Sequence, residues 1–138
     1  MQQAITVTGY HAHVYFDENS KTRASWLREA VQQRFDVSVG RWRDQAYGPH
    51  PCGAYQLAFG AAQFGELVPW LMLNRGELDI LVHPLSGDDV EDHSDFAMWL
   101  GQPLDLDIAY LRERGQRRDG GGSWGNEKTA GEDPAVLI

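Results

Sequence analysis

Apolar and polar positions alternate near the start of the chain and then change to a helical spacing. Residues 5–16 combine β-branched and aromatic side chains with interleaved polar ones, a pattern that predicts a first strand. From residue 21 to residue 35 the apolar positions recur at every third or fourth residue, which predicts an amphipathic helix behind a polar turn. Residues 37–42 alternate again and predict a second strand.

A loop rich in glycine and proline leads into a second run of strand, helix and strand. Residues 43–53 carry too many such residues to form a regular element, and residues 54–59 predict a third strand. Residues 61–75 predict a second helix, in which Pro69 indicates a kink or a later start. Residues 78–83 form an apolar run before a proline and predict a fourth strand.

The order strand, helix, strand, strand, helix, strand predicts an α+β fold of the ferredoxin-like type. Its four-stranded antiparallel sheet carries both helices on one face, so the other face is left for solvent, a partner subunit or a site. Residues 92–100 predict a short C-terminal helix, and residues 104–111 alternate in a way compatible with an added edge strand. We predict one domain over residues 1–111 and a loosely held tail, rich in glycine and charge, over residues 112–138.

The composition of the chain limits its binding partners, its disulfide chemistry and its location. The chain has 138 residues, enough for one domain with its own core, and its formal net charge of −8 disfavours nucleic acids and anionic membranes. Its single cysteine, Cys52, excludes an intrachain disulfide and a cluster of thiolate ligands. No signal-like start and no apolar stretch of membrane-spanning length is visible, so we expect a soluble cytoplasmic protein.

The five histidines are the candidate chemistry of this chain. Strand alternation places His11 and His13 on one face, opposite the small and apolar residues that suit helix packing. The first and fourth strands of the predicted fold are antiparallel neighbours, so His83 approaches the same face. Imidazole is a common ligand of transition metals, and three such rings would leave open positions for catalysis.

Each histidine also has an ordinary structural interpretation. An H-x-H pair on a solvated strand can be plain polar alternation, and His50, between two prolines, can be a turn residue. His83 can satisfy a turn carbonyl, and His93 can sit at a helix start. The acidic residues Asp88, Asp89, Glu91 and Asp92 are expected to form a solvated turn. Spacing alone leaves both interpretations open.

Four segments in order resemble the DOPA 4,5-dioxygenase family, over about residues 8–111. They are residues 10–16 (YHAHVYF), 48–51 (GPHP), 81–84 (LVHP) and the pair at 92–93 followed by 97–101 (AMWLG). The resemblance implies a ferredoxin-like protein, often a homodimer, that opens the ring of a catechol such as DOPA with dioxygen. This extradiol chemistry requires about three protein ligands for ferrous iron, or for another divalent metal, and a base for a catechol proton.

The resemblance also implies roles for the motif residues. The expected metal ligands are His11, His13 and His83, and the expected acid/base or substrate-oxygen groups are His50 and His93. An exchange of His50 or His93 into the ligand set is the open alternative. Arg41 or Arg43 would pair with a substrate carboxylate, and Tyr15 and Tyr47 would hydrogen-bond a catechol oxygen. The competing hypothesis is a non-catalytic dimeric α+β module that binds a small ligand or a metal through the same face, because this fold hosts many such proteins.

Overall fold

The structure, a computed structural model, describes residues 3–118. Its five strands form a sheet in the order β2-β3-β1-β4-β5, and every neighbouring pair is antiparallel. In chain order the elements are β1 (Tyr10–Phe16), α1 (Lys21–Arg34), β2 (Ser38–Val39), β3 (Gly53–Phe59), α2 (Ala61–Asn74), β4 (Asp79–Pro84), α3 (Asp89–Asp92), β5 (Met98–Leu100) and α4 (Ile108–Arg118).

The predicted ferredoxin-like arrangement is confirmed in its first six elements. The strands β1 to β4 have the split βαβ order, with β1 between β3 and β4. The hydrophobic core joins one face of this sheet to both long helices, through Val14 of β1, Leu27 of α1 and Leu71 of α2, each with no exposed surface. Burying each of these side chains contributes about 1.5–3 kcal/mol, which is why the helices settle on this face.

The C-terminal part of the sheet differs from the prediction. The helix predicted over residues 92–100 is wrong, because α3 ends at Asp92 and residues Met98–Leu100 form a fifth strand against β4. Leu100 is buried in this position, and burial of its apolar side chain favours the strand over a solvent-exposed helix. Residues 104–111 add no edge strand to the described sheet, because α4 begins within them at Ile108.

A local hydrogen bond explains where α4 starts. The Asp107 side chain accepts a hydrogen bond from the Tyr110 backbone N–H at 3.1 Å, which is the contact of a helix cap. Leu111, one turn later, is fully buried. The helix continues through Arg118, beyond the predicted domain end at residue 111, and residues 119–138 of the predicted tail lie outside the described residues.

Other boundaries moved by less. β1 begins at Tyr10, so residues 5–9 lie before the strand, and Ile5 is 67% exposed. α2 runs from Ala61 to Asn74 with Pro69 inside it, so the helix does not start late. Gly76, with φ of 63°, follows the helix end in the left-handed conformation that glycine favours. None of the helices in residues 3–118 has the length and apolar character needed to cross a membrane.

The register of the central strand β1 aligns the residues of the helix-free face in rows across β3, β1 and β4. Directly paired residues on neighbouring strands share a face, so each row runs across the sheet. The rows, from β3 through β1 to β4, are Ala58–His11–His83, Gln56–His13–Leu81 and Ala54–Tyr15–Asp79. The fold therefore places polar and ionisable side chains in the middle of the sheet, on the side opposite the helices.

Candidate metal centre

All five histidines gather at the helix-free face, and all are buried. Each imidazole ring has another within 5.2 Å between centroids, the shortest separation being 4.1 Å between His83 and His93. The exposed fractions are 6% for His11, 0% for His13, 2% for His50, 1% for His83 and 3% for His93. Isolated polar residues on a solvated surface would not show this burial.

Three of these rings form a group that can hold a metal ion. His11, His13 and His83 each offer a ring nitrogen, and these nitrogens lie within 4.8 Å of one another. Nε2 of His13 and Nε2 of His83 are 3.1 Å apart. Two imidazoles that bind one ion at about 2.1 Å each would have their nitrogens about 3.0–3.4 Å apart, so this pair fits a shared ion.

A backbone carbonyl determines the tautomer of His83. Its Nδ1 lies 2.8 Å from the carbonyl oxygen of Pro84, and a carbonyl can only accept, so Nδ1–H donates. Nε2 therefore carries the lone pair that faces His13. Metal-binding histidines usually donate their second ring N–H to a carbonyl or carboxylate in this way. The contact with the turn carbonyl is therefore compatible with a ligand role for His83.

His93 is held in the same way by α3. The Asp88 side chain accepts from the Glu91 N–H and caps this short helix, and Nδ1 of His93 donates to the Asp89 carbonyl at 2.8 Å. The Nε2 atom of His93 therefore carries a lone pair. The centroid of its ring is 4.1 Å from that of His83, so the His93 ring lies beside the metal trio.

Asp92 anchors this turn and corrects the prediction of a solvated acidic turn. Asp92 is fully buried and accepts hydrogen bonds from Ser86, at 2.6 Å from Oγ and 3.0 Å from the backbone N–H. Burial raises the pKa of its carboxyl to about 6, although the Ser86 contacts oppose the shift. The contact ties the segment after β4 to the helix that carries His93.

The loop between β2 and β3 delivers His50. The backbones of Tyr47 and His50 exchange two hydrogen bonds, at 2.8 and 3.2 Å, and close a tight turn. Gly48 in this turn has φ of 54°, which favours glycine. The Pro49 carbonyl accepts from the Asp107 N–H at 2.9 Å, so the segment before α4 supports the loop. The His50 ring comes within 4.4 Å of the His13 ring.

A short hydrogen bond links His50 to Tyr15. The Tyr15 hydroxyl and Nδ1 of His50 are 2.6 Å apart, and Tyr15 is 2% exposed. Burial raises the pKa of Tyr15 well above 10, so the phenol stays protonated. Within residues 3–118, Nδ1 of His50 is the acceptor that this hydroxyl contacts, and buried donors are nearly always satisfied. Tyr15 therefore donates, and the proton of neutral His50 resides on Nε2.

The electrostatics of His13 and His83 favour the neutral form of both rings. Burial, followed by the neighbouring imidazoles, lowers the pKa of His13 well below 6.5. Burial and then His93 and His11 do the same for the pKa of His83, against a small opposing effect of the Pro84 carbonyl. Because metals bind the neutral form of imidazole, both rings are ready ligands at neutral pH.

The structure brings three of the four predicted substrate residues to this region. Tyr15 contacts His50 directly, and the Tyr47 ring lies 4.9 Å from the His50 ring. The Arg43 guanidinium lies over the Tyr47 ring at 4.8 Å, and burial raises the pKa of Tyr47 to about 12. Arg41 is exposed. An open cavity of about 500 Å³ borders this loop, with Tyr47, His50 and Asp107 in its walls.

An apolar layer covers the end of the face next to Tyr15. Trp99 of β5 pairs with Leu81 and stacks on Tyr15, with ring centroids 5.9 Å apart. This layer was missed in the sequence because its members are distributed over four strands and the segments between them. Its members are Tyr15, Ala54 and Leu81, with Tyr47, Cys52, Ala97, Trp99, Leu104 and Leu106 packed against them.

Sequence reasoning also missed Gln56. This residue is the cross-strand partner of His13 on β3 and is 9% exposed. Its amide oxygen is buried and has no hydrogen-bond partner in the described part of the chain. The signal was present as one polar residue between Ala54 and Ala58 in a strand that is otherwise apolar on both faces.

Comparison with known proteins gives a consistent set of relatives. The model of the Dopa 4,5-dioxygenase family matches residues 10–110. An uncharacterized 21.2 kDa protein of Botryotinia fuckeliana is 31% identical over 121 residues, covering 79% of this chain and 66% of that protein. DOPA 4,5-dioxygenase of Amanita muscaria is 35% identical over 111 residues, covering 74% of this chain and 49% of that protein. The chain thus matches only about half to two thirds of the length of these relatives.

A solved structure resembles the whole fold. It is the crystal structure of a candidate dioxygenase from Nostoc punctiforme, which shares 54% sequence identity with this chain. The match covers 78% of this chain and 94% of the Nostoc protein, with a TM-score of 0.77.

Proposed function

Since this chain belongs to the Dopa 4,5-dioxygenase family, we propose that it is an extradiol dioxygenase that opens the ring of a catechol with dioxygen. The observation that carries the proposal is the convergence of His11, His13 and His83 within 4.8 Å, beside two further buried histidines. Both atoms of dioxygen enter the ring-opened product of such a reaction, so no external reductant is needed.

The trio His11, His13 and His83 would hold ferrous iron, or another divalent metal, through neutral ring nitrogens. A bound ferrous ion would take the two catechol oxygens and activate dioxygen. The Pro84 carbonyl keeps the lone pair of His83 on Nε2, which supports its ligand role.

The hydrogen bonds behind the two remaining histidines support different roles for them. His93 presents a lone pair on Nε2, so it can accept a proton from a catechol hydroxyl as a general base. His50 presents an N–H on Nε2, because Tyr15 occupies its Nδ1, so it can donate a hydrogen bond to a substrate oxygen. Tyr15 then orients His50 and does not bind substrate itself.

The loop around Tyr47 would form the substrate entrance. The Arg43 guanidinium beside this ring can pair with a carboxylate on the catechol, as in an amino acid or a phenylpropanoid acid. Arg41 is the second candidate for this contact. The apolar layer around Trp99 would limit water around the reacting ring.

Activity is tested by anaerobic reconstitution with ferrous iron, followed by DOPA or caffeate and then air. We expect oxygen uptake and a yellow ring-opened product, with neither in protein loaded with redox-inert zinc. The variant H13Q should lose both the activity and stoichiometric iron. Stoichiometric iron in the wild type without oxygen uptake on any catechol would contradict the dioxygenase and favour the binding module.

We also propose that the protein acts as a cytoplasmic homodimer, as the family resemblance implies. Met72 and Leu73 of α2 are 52% and 81% exposed, and exposed apolar side chains of this kind are common at subunit contacts. Light scattering coupled to size-exclusion chromatography should give twice the mass of 15.5 kDa, whereas a single chain mass at micromolar concentration would contradict the dimer.

A further inference from the structure

Gln56 has an unusual position for a polar side chain. It lies on β3, directly opposite the candidate ligand His13, and only 9% of its surface is exposed. Its buried amide oxygen has no hydrogen-bond partner within residues 3–118. An orphaned buried acceptor costs free energy in the ligand-free protein, which is tolerated where a ligand supplies the missing donor.

The residues around Gln56 on the same face are small. Its neighbours in β3 on this face, Ala54 and Ala58, are small, and Gly40 lies on its other side. A Cβ added at Gly40 would sit 3.4 Å from the Gln56 Cβ, so this position points to the same face and carries no side chain. Gln56 is thus the polar group in a floor of small residues next to the metal trio.

We infer that Gln56 is a specificity-determining residue, whose amide oxygen accepts a hydrogen bond from a hydroxyl or amino group on the ring substituent of the bound catechol. The inference rests on the proposed function. Gln56 is on the β3 side of His13 and His83 is on the β4 side, so the substituent of a catechol held at the trio would meet the Gln56 amide where it lies over β3. A substituent without a donor would leave the amide oxygen orphaned in the complex.

The first test uses the protein without ligand. Replacing Gln56 by the similarly sized Leu removes the orphaned acceptor, so Q56L should melt at the same temperature as the wild type or higher. The matched control is Q63L in α2, beyond the opposite face of the sheet. A melting temperature several degrees lower in Q56L alone would overturn the inference, since it would show that the amide stabilises the fold.

The second test compares two substituents of equal size in the iron-loaded protein without oxygen. Calorimetric titration would use 4-(hydroxymethyl)catechol, which carries a donor, and 4-ethylcatechol, which does not. We expect the wild type to bind the first about tenfold more tightly, and Q56L to lose that preference. Q56M repeats the test with a flexible side chain if Q56L folds poorly.

The outcomes separate the two claims. Equal affinity of the wild type for the two catechols, or a preference that survives in both Q56L and Q56M, overturns the role of Gln56 while leaving the dioxygenase intact. A wild type that binds both catechols but takes up no oxygen, or binds neither, overturns the proposed function. A side chain added in G40V should weaken 4-(hydroxymethyl)catechol more than unsubstituted catechol, and an equal effect on both would count against this placement.

Discussion

The hydrogen bonds behind the histidine rings decide what each ring can do. Backbone carbonyls hold the Nδ1–H groups of His83 and His93, so both rings carry their lone pair on Nε2. The phenol of Tyr15 holds His50 in the opposite tautomer. A cluster of five identical side chains therefore offers acceptors and a donor, and the tautomers are set by residues that do not touch the reacting atoms.

Removing the phenol of Tyr15 should impair catalysis without affecting the metal. In Y15F, His50 would no longer be held in its Nε2–H form, so kcat should fall about 3- to 10-fold, the value of one hydrogen bond. Iron content should be unchanged. Nitrogen NMR of the histidine rings should show a mixed His50 tautomer, whereas an unaltered tautomer would contradict the orienting role. Y110F in α4 is the matched control.

Acid should destabilise the metal-free protein through His13 and His83. Their pKa values are lowered in the fold, while in the unfolded chain they return to about 6.5. The unfolded state then binds more protons below about pH 6.5, so the free energy of unfolding falls by up to about 1.4 kcal/mol per pH unit for each ring. The stability is present above that pH and is lost as the pH drops.

Melting curves between pH 8 and pH 5 test whether the stability falls as the pH drops. The wild type without metal should lose stability on acidification, and H83Q should show a shallower dependence because one such group is gone. Equal slopes for the wild type and H83Q would contradict the assignment to this ring.

Short elements with few internal contacts position several of the groups. α3 spans only Asp89–Asp92, and β5 only Met98–Leu100, so neither is stable by itself. The Asp88 cap and the contact between Asp92 and Ser86 hold the first, and pairing with β4 holds the second. The candidate site residues at this end therefore depend on contacts between segments.

Breaking the contact between Asp92 and Ser86 should loosen the turn that carries His93. D92A removes both hydrogen bonds to the partly buried Ser86, at a cost of about 1–3 kcal/mol. Urea unfolding measures the loss, and the exposed D95A should change stability by less than about 0.5 kcal/mol. A D92A protein as stable as D95A would show that the contact contributes little.

For the molecule as a whole, metal binding and folding should be linked, because the trio joins β1 to β4. An ion that binds the folded chain alone stabilises it by about 2.7 kcal/mol at one hundred times its dissociation constant. Adding iron or cobalt anaerobically should raise the melting temperature by several degrees, and a chelator should reverse the rise. H13Q should abolish the shift while H93Q retains it. Loss of the shift in H93Q as well would place His93 among the ligands.

Much of the fold was predictable because it depends on local patterns. The switch from alternation to helical spacing located both long helices and the strands of the βαββαβ unit, and alternation alone put His11 and His13 on one face. The C-terminal elements were not predictable in the same way. The spacing of apolar residues in 92–100 is typical of a helix. Leu100 is nevertheless buried in a strand, because it pairs with Ile80 of β4, about twenty residues earlier in the chain.

The amino-acid pattern alone was sufficient for the fold class and for placing His11 and His13 on one face, because the strand period is encoded locally, and the family resemblance added His83 to them as an expected metal ligand. Tertiary contacts decided the rest. The burial of His50, the tautomer that Tyr15 imposes on it and the position of the orphaned Gln56 oxygen beside His13 depend on residues far along the chain or across the sheet. Hydrogen bonds across such distances leave no periodic trace in a sequence, and the one from Tyr15 sets the tautomer of His50.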